Sequence, residues 1–395
     1  MERGETDFKT GKVLIISGSH FVHDVFSSFI APFLPLLIGK FGLSMVLAGS
    51  LTVFFRLPSL ANPVVGMIAD RVNLRYLVIA APAFTAAAMS LLGNARNYKV
   101  LCVLLLLGGA SASVLHVLGP ILIARSSGGS LGKGMSFWMT GGEMARTVGP
   151  LVAVWAVSAL GFEGCYPLMS VGILGSFLLY LSLKETSTKS AQSSLGGFSE
   201  AWRSLRPVLI PLTGITLSRA FLVASLTAFL PTFMVGLGKS LWLGGASLSV
   251  LELSGILGTL FGGTLSDRVG RRAVLFFSLP TSSLLMLLFI YGEDWIRFPV
   301  LLLLGGVVFT FIPVNLAIVH DHCGEHRGTA TGIYMTIHFL TIALVTVLVG
   351  WLADLFSLRF AFTLSALMGL AGFPAVFFIP RHKEIPTRIG GDTEA

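Results

Sequence analysis

The chain is 395 residues long, 54% apolar and only 12% charged, with a mean hydropathy of +0.85 and a formal net charge of +8. A water-soluble domain carries charge on about a quarter of its residues, so these proportions exclude a soluble globule and place most of the surface against lipid. Three scattered cysteines, Cys102, Cys165 and Cys323, exclude a disulfide framework and a cysteine-built zinc site.

Apolar runs long enough to cross about 30 Å of hydrocarbon occur twelve times. In chain order they are 13–38, 45–66, 75–93, 99–123, 134–160 and 166–184, then 207–236, 241–265, 273–291, 298–319, 328–352 and 358–380. The first is too long for the apolar core of a signal peptide, and no small-residue cleavage site follows it, so it reads as a retained span. Pro32, Pro35, Pro58, Pro150, Pro231 and Pro313 fall inside runs, where proline kinks a membrane helix without ending it.

Basic residues orient the spans. With both termini on one side, 18 of the 27 lysines and arginines fall in segments on that side and 6 on the other, and Arg56, Arg146 and Arg219 lie within spans. The threefold bias predicts cytoplasmic termini in a multi-pass protein of a cell inner (plasma) membrane. It also accounts for the net positive charge without a nucleic-acid partner.

Residues 185–206, the longest polar stretch away from the termini, read as a cytoplasmic linker between an N-terminal six-helix half, 1–184, and a C-terminal half, 207–395. An internal repeat supports this division. Gly66-Met-Ile-Ala-Asp70-Arg71-Val-Asn73-Leu-Arg75 returns 197 residues later as Gly263-Thr-Leu-Ser-Asp267-Arg268-Val-Gly270-Arg271-Arg272. Trp138-Met139-Thr140 returns as Tyr334-Met335-Thr336 at an offset of 196. The expected architecture is all-α integral membrane, with twelve transmembrane helices in two pseudo-symmetric halves.

The repeated loop resembles the signature of the major facilitator superfamily; the second copy fits well and the first departs at Asn73 and Leu74. Within that superfamily the chain is most similar to the fosmidomycin-resistance type of drug efflux proteins. That likeness rests on His20-Phe-Val-His23-Asp24, on His116, followed here by Val117 where the type has proline, and on Arg327-Gly328-Thr-Ala-Thr-Gly332. Span five carries Ala145-x-x-x-Gly149-Pro150-x-x-Ala153, similar to the G-x-x-x-G-P motif of drug–proton antiporters. Small residues there would allow close packing against a helix of the other half. The span-four arginine of many such antiporters is missing. By the resemblance, Asp70, Arg71, Asp267 and Arg268 anchor their loops to a neighbouring helix end and stabilise one access state, with Gly149 and Pro150 also conformational.

Ionisable groups inside spans are costly and face a cavity or a partner. Here they are Asp24, Arg56, His116, Glu143, Arg146, Arg219, Glu252 and His338. Adding the repeat offset maps Asp24 to position 221, close to Arg219, and Arg56 to 253, next to Glu252, so each half has one acid and one base on its first two helices. Asp24–Arg56 and Glu252–Arg219 are therefore the expected pairs, either static or switched by protonation. Glu143 and Arg146, three residues apart, either neutralise each other or line the cavity. His116 and His338 either relay protons or are neutral interhelical hydrogen-bonders. His20, at i, i+4 to Asp24, is a better partner for it than His23. His320-Asp321-His322-Cys323, with His326, has no standard zinc spacing and reads as a solvated loop.

No motif for catalysis or ATP use is present, so no enzyme activity, cofactor or metal is expected. The leading expectation is a monomeric proton-coupled exporter working by alternating access on a small organic, anionic or polar compound. Arg56, Arg146, Arg219 and His338 would contact substrate; Asp24, His20, His116, Glu143 and Glu252 would handle protons. The alternatives are a proton-linked uptake symporter for a carboxylate or similar nutrient, and a non-transporting membrane receptor.

Overall fold

The structure, a computed structural model, describes residues 8–183, 198–322 and 327–379. Twelve long helical segments cross it, and no strand occurs among the described residues. In the first half they are α1 (Thr10–Phe41), α2 (Met45–Ala69), α3 (Arg75–Ser90), α4 (Tyr98–Ser126), α5 (Leu131–Leu160) and α6 (Glu163–Ser182). In the second half they are α7 (Leu205–Gly236), α8 (Leu241–Val269), α9 (Arg271–Tyr291), α10 (Asp294–His322), α11 (Ala330–Leu355) and α12 (Leu358–Phe377). Ten are long and apolar enough by themselves to span a bilayer; α3 has only 16 residues, and α5 carries Glu143 and Arg146. Large side chains such as Leu260, Phe261, Phe277 and Leu344 are exposed on the outer surface, as lipid contact requires.

One boundary differs from the sequence reading. Residues 184–197 lie outside the described residues, but the helix leading into α7 already begins at Phe198. It runs through Pro207 because Leu205 before it and Val208 and Leu212 after it bury into the same apolar cluster. The basic end of the presumed linker is thus the first turns of the second half.

Several spans are broken where the sequence places proline. In α1 the helix interrupts at Ser28 and Phe29, four residues before Pro32, and the Ser28 hydroxyl donates to the Asp24 carbonyl at 2.8 Å. Its repeat counterpart, 197 residues on, is Ser225, where α7 passes into a π-helical turn, Ser225–Phe229, before Pro231. In α2 a 3₁₀ turn, Leu57–Ala61, carrying Pro58 follows Arg56. Such interruptions let a span bend and aim side chains into its bundle.

The halves are joined at one end and separate at the other. An apolar cluster at the end remote from the chain termini draws on both halves, with Phe29 and Leu51 from the first and Phe229 and Val345 from the second. Toward the termini the core divides in two: Val13, Leu118, Trp138 and Leu179 in one half, Leu275, Phe311, Val319 and Tyr334 in the other. Helices α2 with α11, α5 with α8 and α1 with α7 make the joint. A Cβ on Gly49 would lie 3.0 Å from the Thr346 carbonyl oxygen, and one on Gly350 would lie 2.4 Å from that of Met45. Asp354, at the end of α11, accepts the backbone N–H groups of Met45 (2.6 Å) and Val46 (2.8 Å). A carboxylate there satisfies orphan donors of α2 and complements its helix dipole.

Asp354→Ala removes this inter-half cap and should weaken the joint by about 1–2 kcal/mol. In a chain with its native cysteines replaced, maleimide labelling of Ala48→Cys, a buried position on α2, should then accelerate roughly tenfold. An unchanged rate would mean that apolar packing alone holds this end closed. Within the second half, Gly258→Leu should lower the yield of folded protein, because a Cβ there meets the Gly306 carbonyl oxygen at 2.0 Å. Gly263→Ala, with its nearest neighbour at 3.6 Å, should leave the thermal unfolding midpoint in detergent unchanged.

Candidate functional site

Between the halves lies a cavity of about 450 Å³. Its walls include Asp24, Arg56, Asn62, His116, Arg146 and Glu252, together with apolar residues such as Phe339 and Ile342. Helices α1, α2, α4 and α5 supply one side, and α7, α8 and α11 the other. Of the residues singled out in the sequence, Asp24, Arg56, His116, Arg146, Pro150 and Glu252 line this cavity. Arg219 and His338 do not.

The expected pairs are not formed. Glu252 is reached by Arg146 across the interface, with Arg146 Nε 3.5 Å from its carboxylate. Arg146 also donates to Glu143 one turn earlier on α5, so the pair bonds locally, and of the two Arg146 lines the cavity. The offset argument fails because it aligns residues within equivalent helices, whereas α5 and α8 face each other across the two-fold axis. One guanidinium thus holds a carboxylate from each half. Arg56 has no carboxylate within ion-pair distance among the described residues, although it is within electrostatic range of Glu252.

Arg219 is 2% exposed and lies inside the second half. Its Nε donates to the Val308 carbonyl at 3.2 Å, and its guanidinium sits 5.3 Å from the centre of the Phe311 ring. The carbonyl is freed near the break between Phe309 and Phe311, so the arginine serves a broken helix rather than Glu252. His338 is buried beside Tyr334, whose hydroxyl accepts from Asn315 Nδ2 at 3.0 Å.

Asp24 sits among histidines instead of beside Arg56. His23 Nδ1 lies 2.7 Å from its Oδ1. His20 Nε2 and His116 Nε2 lie 3.2 and 3.5 Å from its Oδ2. His23 is therefore a partner as well as His20, which helical spacing alone did not reveal: the short Asp24 side chain turns toward its neighbour in sequence. The His20 ring stacks on Trp138 at 3.7 Å between centroids. Two glycines make room. A Cβ on Gly119 would strike the Trp138 ring at 2.1 Å, and one on Gly142 would meet His20 Cε1 at 2.7 Å.

The conformational residues are distributed differently from expectation. Gly149 packs against α1 of its own half, 2.6 Å from Ser28 Cβ for an added methyl. Where α5 meets the other half, the close approach comes from Gly245 on α8, against the Pro150 carbonyl and Val154. At the second signature loop, Asp267 receives a hydrogen bond from Arg271, which also reaches Ser266 and, at 3.4 Å, Asp321 at the end of α10. Arg271 is thus the residue that ties the loop to its neighbour, while Arg268 is exposed. Arg71 is exposed at the equivalent end of α2, and the side chain of Asp70 lies outside the described residues. Of the His320 to His326 segment, His320 bonds Thr331 at 2.9 Å and His322 the Ile318 carbonyl at 2.8 Å, while Cys323 and His326 lie outside the described residues. Asp354 was not singled out in the sequence, although an acid at the far end of a span is a signal that reading could have used; Trp138 entered only as part of the repeat, and His23 only as the weaker partner of Asp24.

Removing Arg146 strands two carboxylates, whereas neutralising Glu252 leaves Arg146 its bond to Glu143. Arg146→Ala should therefore lower the thermal unfolding midpoint more than Glu252→Gln. The double variant should show a coupling of about 1–3 kcal/mol. Additive effects would mean that the bridge carries no energy between the halves.

The family model described as Major Facilitator Superfamily matches residues 16–290 and 248–393. The chain is 24% identical over 381 residues to the fosmidomycin resistance protein of Escherichia coli (strain K12), covering 93% of each chain. It is also 24% identical over 320 residues to the multidrug resistance protein MdtG of Escherichia coli (strain 55989 / EAEC), covering 76% of this chain and 78% of that one. Among solved structures, a bacterial homolog of the human lysosomal transporter Spinster, inward-facing and unoccupied, superposes with a TM-score of 0.79 at 15% identity, covering 95% of this chain and 98% of that one. A D-xylose–proton symporter gives 0.73 at 18% identity, with the same coverage. With twelve helices in two halves around a shared cavity, the chain belongs to the Major Facilitator Superfamily of membrane transporters and is not an enzyme.

Proposed function

We propose that this transporter is a proton-coupled exporter that carries a small anionic or polar organic compound by alternating access. The observation that carries the reading is the Arg146–Glu252 bridge between halves at the cavity wall. In the ion-paired form the two halves are held together across α5 and α8. A proton on Glu252 cancels its charge, loosens that hold and leaves Arg146 to Glu143, so proton occupancy and the relative position of the halves are linked. Arg56 is the cavity cation with the weakest claim from a carboxylate and is the proposed anchor for an anionic group. Asn62, with its Oδ1 held by the Ser113 hydroxyl, adds a polar contact on the same wall.

Arg219 and His338 stand behind the cavity wall in this state, so their proposed contribution is to shape the second half. Asp24, His20 and His116 are the second proposed proton-handling group, in the half opposite Glu252. The loops at Asp70 with Arg71 and Asp267 with Arg268 are proposed to steady the open end. With cytoplasmic termini, as the basic-residue bias argues, that open end faces the cell interior. The names of the resistance-protein relatives favour export.

Purified protein in proteoliposomes containing a pH-sensitive dye, under an imposed pH gradient, tests this directly with a panel of organic anions, phosphonates and cationic drugs. Substrate-dependent proton flux is expected in the parent and its loss in Glu252→Gln. Arg56→Ala should weaken transport of anionic compounds at least about tenfold, the worth of one charge-assisted hydrogen bond. Protons and substrate moving in the same direction would make the protein a symporter. Substrate equilibrating without proton movement would make it a uniporter and remove the coupling role of Glu252.

A further inference from the structure

We infer that His20, Asp24 and His116 form a binding site for a zinc-class divalent cation at the cavity wall. The reasoning starts from the protons. His20 Nδ1 lies 3.0 Å from the Trp138 carbonyl oxygen, and His116 Nδ1 lies 2.8 Å from that of Ala112. A carbonyl only accepts, so both rings carry their proton on Nδ1 and, when neutral, present a bare Nε2. Those two Nε2 atoms are 3.4 Å apart, and each lies against Asp24 Oδ2, at 3.2 and 3.5 Å. While both rings are neutral, three lone-pair atoms therefore converge with no hydrogen between them, an arrangement relieved by a proton on one Nε2 or by a cation at their centre.

The spacing selects the kind of cation. Ligand bonds of about 2.0–2.1 Å to a tetrahedral zinc put neighbouring donors about 3.3–3.4 Å apart, and the three separations here, 3.2, 3.4 and 3.5 Å, lie within about 0.1 Å of that range. Two imidazoles and one carboxylate are a donor set for zinc and its first-row neighbours rather than for calcium or magnesium. The surrounding groups have the form of an outer shell. Backbone carbonyls hold both ligand imidazoles in the metal-binding tautomer, and His23 Nδ1, 2.7 Å from the other Asp24 oxygen, orients the carboxylate.

Asp24 and His116 line the cavity, whereas His20 lies behind them, so the fourth coordination position opens toward the transport path. Arg146, the nearest cation on that wall, is occupied by Glu143 and Glu252. All three ligands belong to the first half, on α1 and α4, so the ion would place a positive charge at the cavity without locking the halves together. The site stands independently of proton coupling, because equilibrium binding alone tests it.

Protein purified in detergent, with its affinity tag removed and stripped by a chelator, should bind one Co²⁺ per chain with the visible absorption of a four-coordinate site. One equivalent of Zn²⁺ should displace it. His116→Gln should weaken binding more than about 100-fold, beyond what outer-shell losses cause, and His23→Gln about tenfold. His320→Gln/His322→Gln should change nothing. X-ray absorption at the zinc edge of the loaded parent needs no variant and should show imidazole nitrogens at about 2.0–2.1 Å. Binding weaker than about 1 mM, a metal shell without imidazole, or binding lost only in the His320/His322 variant would overturn the assignment.

Discussion

A charge in hydrocarbon with no partner costs about 3 kcal/mol or more, and the arrangement of the cavity follows from that constraint. Arg146 answers it for two acids at once, one on its own helix and one on the opposing half. Asp24 answers it with three imidazoles. Arg219 answers it with a backbone carbonyl and an aromatic face. Each solution is local and different. Only the first crosses the interface, so it alone among these three makes the energy of a buried charge depend on how the halves are placed.

The large-scale organisation was readable because bilayer thickness and loop charge act on long stretches of sequence. Twelve apolar runs, the repeat at Asp70 and Asp267 and the family all follow from such averages. The pairing of buried charges was not readable, because it depends on which helix faces touch across a two-fold axis. Repeat arithmetic aligns Arg56 with position 253 but says nothing of α5 meeting α8. The same limit hid His23: helical spacing ranks His20 above it, and only the side-chain torsion of Asp24 brings His23 within 2.7 Å. Asp354 was missed because its partners are backbone N–H groups, so the sequence holds no complementary charge to pair with it.

The duplication has left matched irregularities in one place and mismatched ones in others. Ser28 and Ser225 are equivalent, and both mark where the first helix of a half departs from α geometry. Helix α2 breaks at Leu57–Ala61, but its counterpart α8 is continuous and studded with glycines that lie against α10. Helix α10 breaks near Thr310 where α4 runs unbroken. Each half therefore has its own points of bending. The pseudo-symmetry of the fold coexists with chemistry that is not symmetric at all: histidines and an aspartate on one side, a single bridged glutamate on the other.

The stack of Gly119, Trp138 and His20 has a consequence for how such sequences diverge. The indole fills the space that any side chain at position 119 would need, and its ring seats the imidazole beside Asp24. A larger residue at 119 is compatible with the fold only if position 138 shrinks, and a smaller ring there removes the seat of His20. Positions 119 and 138 should therefore covary among descendants of this chain. Lineages that abandon the pair should also lose the histidine, so three positions far apart in sequence are inherited as one character.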